Sequence, residues 1–250
     1  MYDYPLSSRF DKTDAVLVFD KVFVPWERVF VYRNVSLTAD QWFKTPAHYY
    51  GNHQAQVRFC SKAQFLIGLA TRIAEVNGVD KMPNVQSTLG ELASYVTLGN
   101  GLVIASEAEC IEDKRGFVYP NPVYIHANMW LQATYYTKMI NYVRELAGAG
   151  VIALPSSYKD YGNPEIARDV NRFIQSPGTP SVERTKLFKL CWDIIGSEFA
   201  GRHQQYELFY AGSRFVTTSI RMYKAFDFEA AKTLVAQCLA TYDLPKAAVM

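Results

Sequence analysis

Residues 14–33, DAVLVFDKVFVPWERVFVYR, are dense in Val and Phe, with Pro25 and Trp26 interrupting them. Short runs of β-branched and aromatic residues divided by a turn read as two β-strands. Two strands alone are only marginally stable, and nothing downstream reads as strand. The chain is therefore expected to begin inside a sheet whose other strands are missing or supplied by another polypeptide.

From Thr45–Pro46 onward the pattern is helical. Val57, Phe59, Phe65, Leu66, Leu69, Ile73 and Val76 recur close to the i, i+3, i+4 spacing of an amphipathic helix over Asn52–Asn77, and Gly78 ends it. The pattern repeats over Asn84–Cys110 through Leu89, Leu92, Val96, Leu102 and Ile104. The stretch EDKRGFVYPNP links these to a third helix from about Val123 to Ala147. Gly148, Gly150, Pro155 and SSYKDYGNPE then form a break of about 15 residues, a length that usually covers a site. A short helix follows from Asn163–Pro164 through Phe173. A long one opens at Thr179–Pro180, and two more span Ser213–Tyr223 and Phe228–Tyr242. Long amphipathic helices with short connections make a bundle. The expected fold class is mainly α, a helical bundle preceded by a short β-strand remnant.

Charge narrows the partners. The net charge is +2 over 250 residues with no long charged run, which gives no electrostatic case for nucleic acid or an anionic membrane. No stretch approaches the roughly 18 apolar residues of a membrane span, and MYDYPLSSRFD lacks the blocks of a signal peptide. A cytoplasmic address is expected. Cys60, Cys110, Cys191 and Cys238 are scattered without a CxxC pair, as free thiols are, and no metal site is expected.

One segment departs from plain helix. GSEFAGRHQQYELFYAGS, Gly196–Ser213, holds three glycines, an Arg-His pair and four aromatics. Glycine costs about 1 kcal/mol relative to alanine inside a helix, so Gly196, Gly201 and Gly212 point to a close backbone approach. A flat ligand and a crossing helix both provide one.

PLSSRFDKTDAVLVFDKVFVPWERVFVYR, LPSSYKDYGNPEI, LFKLCWDIIGSEFAGRHQQYE and FYAGS together resemble the 4-hydroxyphenylacetate 3-hydroxylase family. Its members are flavin-dependent phenol monooxygenases with an acyl-CoA dehydrogenase-like fold. The resemblance runs nearly end to end here but covers only the C-terminal half of a family member. It implies that residues 1–38 are the terminal strands of an incomplete middle β-domain, and residues 39–250 the C-terminal helical bundle that also drives assembly of a homotetramer. It implies reduced FAD as cofactor, supplied by a separate flavin reductase. It implies O2-dependent hydroxylation ortho to the hydroxyl of a phenol of the 4-hydroxyphenylacetate, halophenol or nitrophenol type. The N-terminal half is then a separate chain or has been lost.

The resemblance also nominates residues. His48, in TPAHYYGNH, is the candidate catalytic base, because imidazole titrates near neutrality. Phe199 is the expected aromatic wall of the phenol pocket, and His53 a second substrate-binding candidate. Arg202, Tyr210, Ala211, Gly212 and Ser213 are the candidates for holding the flavin. An ion pair of Arg202 with Glu198 or Glu207, and a helix C-cap at Gly212, explain the same residues without a ligand. Two further readings stay open. The bundle alone is a non-enzymatic oligomerisation module, or the H-x6-C pair His53 and Cys60 marks a fragment similar to the iron–sulfur flavoprotein 4-hydroxybutyryl-CoA dehydratase, whose cluster needs four ligands.

Overall fold

The computed structural model describes residues 1–11, 15–210 and 212–243. A helical turn α1 (Ser7–Phe10) and α2 (Val35–Lys44) precede three long helices, α3 (Ala47–Val76), α4 (Pro83–Ala108) and α5 (Pro122–Ala147). Then come α6 (Pro164–Phe173), α7 (Ser181–Ile195), α8 (Glu198–Phe209), α9 (Tyr223–Ala225) and α10 (Phe228–Leu239). Local chemistry sets the starts. Proline opens α4, α5 and α6, where its missing N–H is not needed. The side chains of Asn34, Asn121, Asn163, Ser197 and Asp227 cap α2, α5, α6, α8 and α10 by accepting from backbone N–H groups.

Helices α3, α4 and α5 pack side by side as the centre of the bundle, with α7 and α8 laid against α5. Phe59, Leu66 and Ile73 from α3, Leu92 from α4, Tyr136, Met139 and Ile140 from α5 and Phe188 from α7 are fully buried among one another. Their spacing along each helix is the stripe that periodicity predicts.

Three features differ from the sequence expectation. Residues 15–33 do not pair as strands. They are irregular apart from a 3-10 turn at Trp26–Arg28, and Val16, Phe23 and Phe30 are 90%, 86% and 91% exposed. A strand needs a neighbour to satisfy its backbone groups, and the described residues offer that segment none. A ladder forms instead inside the presumed linker, where β1 (Ile111–Glu112) pairs antiparallel with β2 (Val118–Tyr119) around a turn at Gly116. The long helix expected from Thr179–Pro180 is two helices. It stops at Gly196, and Ser197 caps a new start through Ala200 N.

Candidate functional site

Helices α3 and α8 each carry two polar residues one turn apart on their facing sides. Glu207 of α8 is fully buried and accepts a two-pronged contact from Arg58 of α3, Nη1 to Oε1 at 2.5 Å and Nη2 to Oε2 at 2.8 Å. Lys62 Nζ reaches Glu207 Oε1 at 2.5 Å and lies 2.9 Å from His203 Nδ1. From α5, Gln132 Nε2 donates to Glu207 Oε2 at 2.7 Å, and Gln132 Oε1 accepts from Gln56 at 2.9 Å. Burial alone raises the Glu207 carboxyl, but the Arg58 hydrogen bonds and the Lys62 and Arg58 charges outweigh it and hold it below the usual glutamate value.

In front of this network opens an apolar cleft of about 760 Å³ between the N-terminal segment, α3, α7 and α8. Phe10, Phe65, Tyr136, Leu190 and Phe199 form its walls, and Arg58, Lys62 and His203 its polar end. The His203 ring leans on Phe199 at 4.1 Å between centroids. Burial, reinforced by nearby Glu207, pushes the Tyr136 phenol well above its usual value, so it stays neutral. The N-terminal segment is held over the cleft by Asp193, whose Oδ2 accepts from Leu6 N at 2.7 Å and Ser7 N at 2.9 Å.

Phe199 thus lines the cleft, and His203 stands beside it. The other expected residues lie elsewhere. His48, in the first turn of α3, is 14 residues before Lys62, about 21 Å at 1.5 Å per residue. His48, the expected catalytic base, is therefore not among the residues that line the Phe199 cleft. His53 Nε2 sits 2.8 Å from Glu107 Oε1 of α4, away from the cleft walls. Arg202 pairs with Glu198 at 2.9 Å and Asp11 at 2.5 Å, not with Glu207, and borders a separate hollow. The Tyr210 ring stacks on Tyr206 at 4.4 Å under the Arg58 guanidinium. Gly212 N donates to Phe209 O, and Ser213 O accepts from Thr217 N. Ala211 lies outside the described residues.

The three glycines sit in three different surroundings. A Cβ on Gly196 would sit 2.4 Å from the Trp192 indole, so the close approach there is to a side chain of the preceding helix. Gly212 has φ +104°, where L side chains are strained. Around Gly201 there is nothing within 4 Å of a Cβ. Gly201→Ala is therefore expected to stabilise the chain by about 0.5–1 kcal/mol through helix propensity, measured by urea unfolding. A loss of stability would mean that a neighbour does approach that backbone.

A second polar cluster surrounds His48. Its ring lies 3.8 Å from that of Tyr49, which stacks on Tyr119 at 4.8 Å. Burial and the charge of Arg221 lower the His48 pKa. His126, on the first turn of α5, is 5% exposed with both ring nitrogens unpartnered, and burial, Arg221 and His48 push its pKa down to about 4. Arg221 comes from a π-helical segment, Val216–Met222.

This arrangement has close relatives. The profile described as 4-hydroxyphenylacetate 3-hydroxylase C terminal matches residues 38–240, and its N-terminal counterpart matches residues 1–31. The chain belongs to the 4-hydroxyphenylacetate 3-hydroxylase family. It is 34% identical over 249 residues to the 4-hydroxyphenylacetate 3-monooxygenase oxygenase component of Pseudomonas aeruginosa, covering 97% of this chain and 47% of that protein. It is 31% identical to the 4-nitrophenol 2-monooxygenase oxygenase component of a Rhodococcus species, with the same coverage. The fold superimposes with a TM-score of 0.89 on a 4-hydroxyphenylacetate 3-monooxygenase oxygenase component crystallised with FAD and 4-hydroxyphenylacetate, at 30% identity over 96% of this chain and 50% of that one. The chain thus spans about half the length of the curated relatives it matches. A 4-hydroxybutyryl-CoA dehydratase from N. maritimus shares the fold, at a TM-score of 0.68 and 20% identity. Among the described residues no group of three or more His, Cys, Asp or Glu is placed to hold a metal ion, and no helix is long and apolar enough to cross a membrane.

Proposed function

We propose that this chain is the C-terminal part of a two-component aromatic hydroxylase of the 4-hydroxyphenylacetate 3-hydroxylase family, using reduced FAD delivered by a separate reductase. The observation that carries the reading is the match of 96% of the chain to an oxygenase holding FAD and a phenol. Bound reduced flavin would supply the O2 chemistry, placing one oxygen atom on the ring carbon ortho to the phenol hydroxyl. The residues here suit the binding and positioning that such chemistry needs. An apolar cleft with Phe199 as one face excludes water from a ring and orients it. Tyr210, Gly212 and Ser213, at the end of α8, together with Arg202 are the proposed flavin contacts on this chain. No part in the ring's proton chemistry is proposed for His48 at that cleft, given its distance along α3.

The domain division is proposed with it: residues 1–38 complete the middle domain and 39–250 form the bundle. The exposed Val16, Phe23 and Phe30 support a sheet supplied by the rest of the protein as their cover. Leu234, Val235 and Leu239 of α10, at 69%, 59% and 55% exposure, give the bundle an apolar face suited to assembly into a tetramer. The iron–sulfur reading gains nothing, because Cys60 is buried beside Asn128 while His53 is engaged by Glu107.

The test is reconstitution. The chain, a polypeptide supplying the N-terminal and middle domains of a family member, and a flavin reductase are mixed and given 4-hydroxyphenylacetate or 4-nitrophenol. Catechol formation that needs all three components is the expected result. Absence of product together with no retention of reduced flavin would contradict the reading and favour an oligomerisation module.

A further inference from the structure

The last turn of α8 is pinned to the bundle by one guanidinium used in two ways. Arg58 forks its edge onto the buried Glu207 carboxylate at 2.5 and 2.8 Å. Its Cζ lies 4.9 Å from the centre of the Tyr206 ring and 5.3 Å from that of Tyr210, and the two rings stack with 22° between their planes. From α5, Gln132 Nε2 reaches the Glu207 backbone oxygen at 3.2 Å as well as the carboxylate at 2.7 Å. A planar guanidinium offers its edge to a carboxylate and its face to aromatic rings, which a lysine ammonium cannot do at once. The chain then changes direction sharply. Tyr210 N still donates to Tyr206 O, Gly212 takes φ +104°, and Ser213 O already accepts from Thr217 N of the π-helical segment. With so few residues between clamp and segment, the placement of Tyr210 sets where the backbone of Gly212 and Ser213 lies. The Tyr210 ring is stacked and still 47% exposed. It is held by the protein and open to a ligand, as a preorganised contact must be.

We propose that Arg58 is a positioning residue for the cofactor: locked to Glu207 and carrying the Tyr206–Tyr210 stack, it fixes Tyr210, Gly212 and Ser213 where they meet the flavin. This rests on the reading of those three residues as flavin contacts, and adds the residue on another helix that orders them. Arg58 acts through Tyr210 and the backbone behind it. Displacing such contacts by about 1 Å is enough to lose much of their worth.

The experiment compares wild type with Arg58→Lys, which keeps a charge opposite Glu207, and with Tyr206→Leu, which removes one ring of the stack and leaves the Arg58–Glu207 fork untouched. In the 250-residue chain, hydrogen exchange followed by mass spectrometry is expected to run about tenfold faster over residues 209–216 in both variants, with α10 at its wild-type rate. In the complex reconstituted with the N-terminal and middle domains, FAD fluorescence anisotropy is expected to show binding weakened about tenfold in both, the scale of one lost hydrogen bond. Tyr206 does not line the cleft, so Tyr206→Leu should leave the KM for the phenol unchanged. Urea unfolding of each variant gives its stability separately. A lower urea midpoint with wild-type FAD affinity, or wild-type exchange over 209–216, overturns the proposal and leaves Arg58 a purely structural residue. Loss of FAD affinity and of phenol KM by the same factor in Tyr206→Leu overturns it as well. If the wild-type complex does not bind FAD, the flavin reading of Tyr210, Gly212 and Ser213 falls and the inference with it.

Discussion

Glu207→Gln is expected to destabilise the chain by about 3 kcal/mol at neutral pH, seen as a lower urea midpoint with an unchanged slope. The substitution keeps the shape of the side chain and its reach to Gln132. It removes the carboxylate that Arg58 and Lys62 share. Breaking a buried ion pair on one side costs about 3–5 kcal/mol, and the partial exposure of both cations puts this case at the lower end. Arg58→Met in the Glu207→Gln background should recover part of the loss, because the two residues are in contact and their effects are coupled. The pH dependence has a definite sign. The folded carboxyl titrates below its unfolded value, so its stabilisation is complete above the unfolded pKa of about 4.3 and is lost as pH falls through the folded one. The gap between wild type and Glu207→Gln should therefore close in acid. Equal stability of the two proteins at pH 7 would rule out the buried clamp.

The helices were legible because apolar periodicity and start signals agree. Pro83, Pro122 and Pro164 each open a helix within a residue of where the sequence puts it. Helix α3 starts five residues before Asn52, because the opening stretch AHYYG carries no apolar stripe that would announce it. The break at Gly196–Ser197 was missed because apolar residues continue through it, from Ile194 to Phe199, while the break itself is made by one cap. The first 33 residues misled for a different reason. Strand propensity describes how well a residue fits a pleated, half-buried surface, and the described residues contain no such surface for Val16 or Phe23 to join.

Phe199, nominated by the family resemblance, lines the cleft, while Arg58 and Lys62 carry no motif that singles them out and Glu207 enters the sequence reading only as a possible partner of Arg202. Their signal was present, since Arg58 and Lys62 are charged residues one turn apart beside the buried Phe59 and Ala63 of α3. Such charges on a core-facing helix imply a buried counter-ion. Nothing local names that counter-ion, which lies 149 residues from Arg58 along the chain. Arg202 shows the converse. Spacing allowed a pair with Glu198 or Glu207, and only the fold turns Glu207 inward and brings Asp11 alongside.

His126 supplies the other large expected effect. Its pKa falls from 6.5 to about 4 on folding, through burial first and then Arg221 and His48. A histidine held below its unfolded pKa binds a proton more readily in the unfolded chain. Its contribution is therefore intact above pH 6.5 and is lost progressively as pH falls toward the folded value. A shift of this size corresponds to about 3 kcal/mol, and the lowered pKa of His48 acts in the same direction. The groups around the imidazole, Arg221 of the π-helical segment and His48 of α3, both oppose a second positive charge. His126→Phe keeps a planar ring and removes the titration. Urea unfolding at pH 7, 5.5 and 4.5 should show the variant losing less stability than wild type at each step down. At pH 7 the variant should match or exceed wild type, since Nδ1 and Nε2 of His126 have no partner to lose. Parallel pH profiles for the two proteins would mean that the imidazole reaches water or a bound group, and is not held neutral by its surroundings.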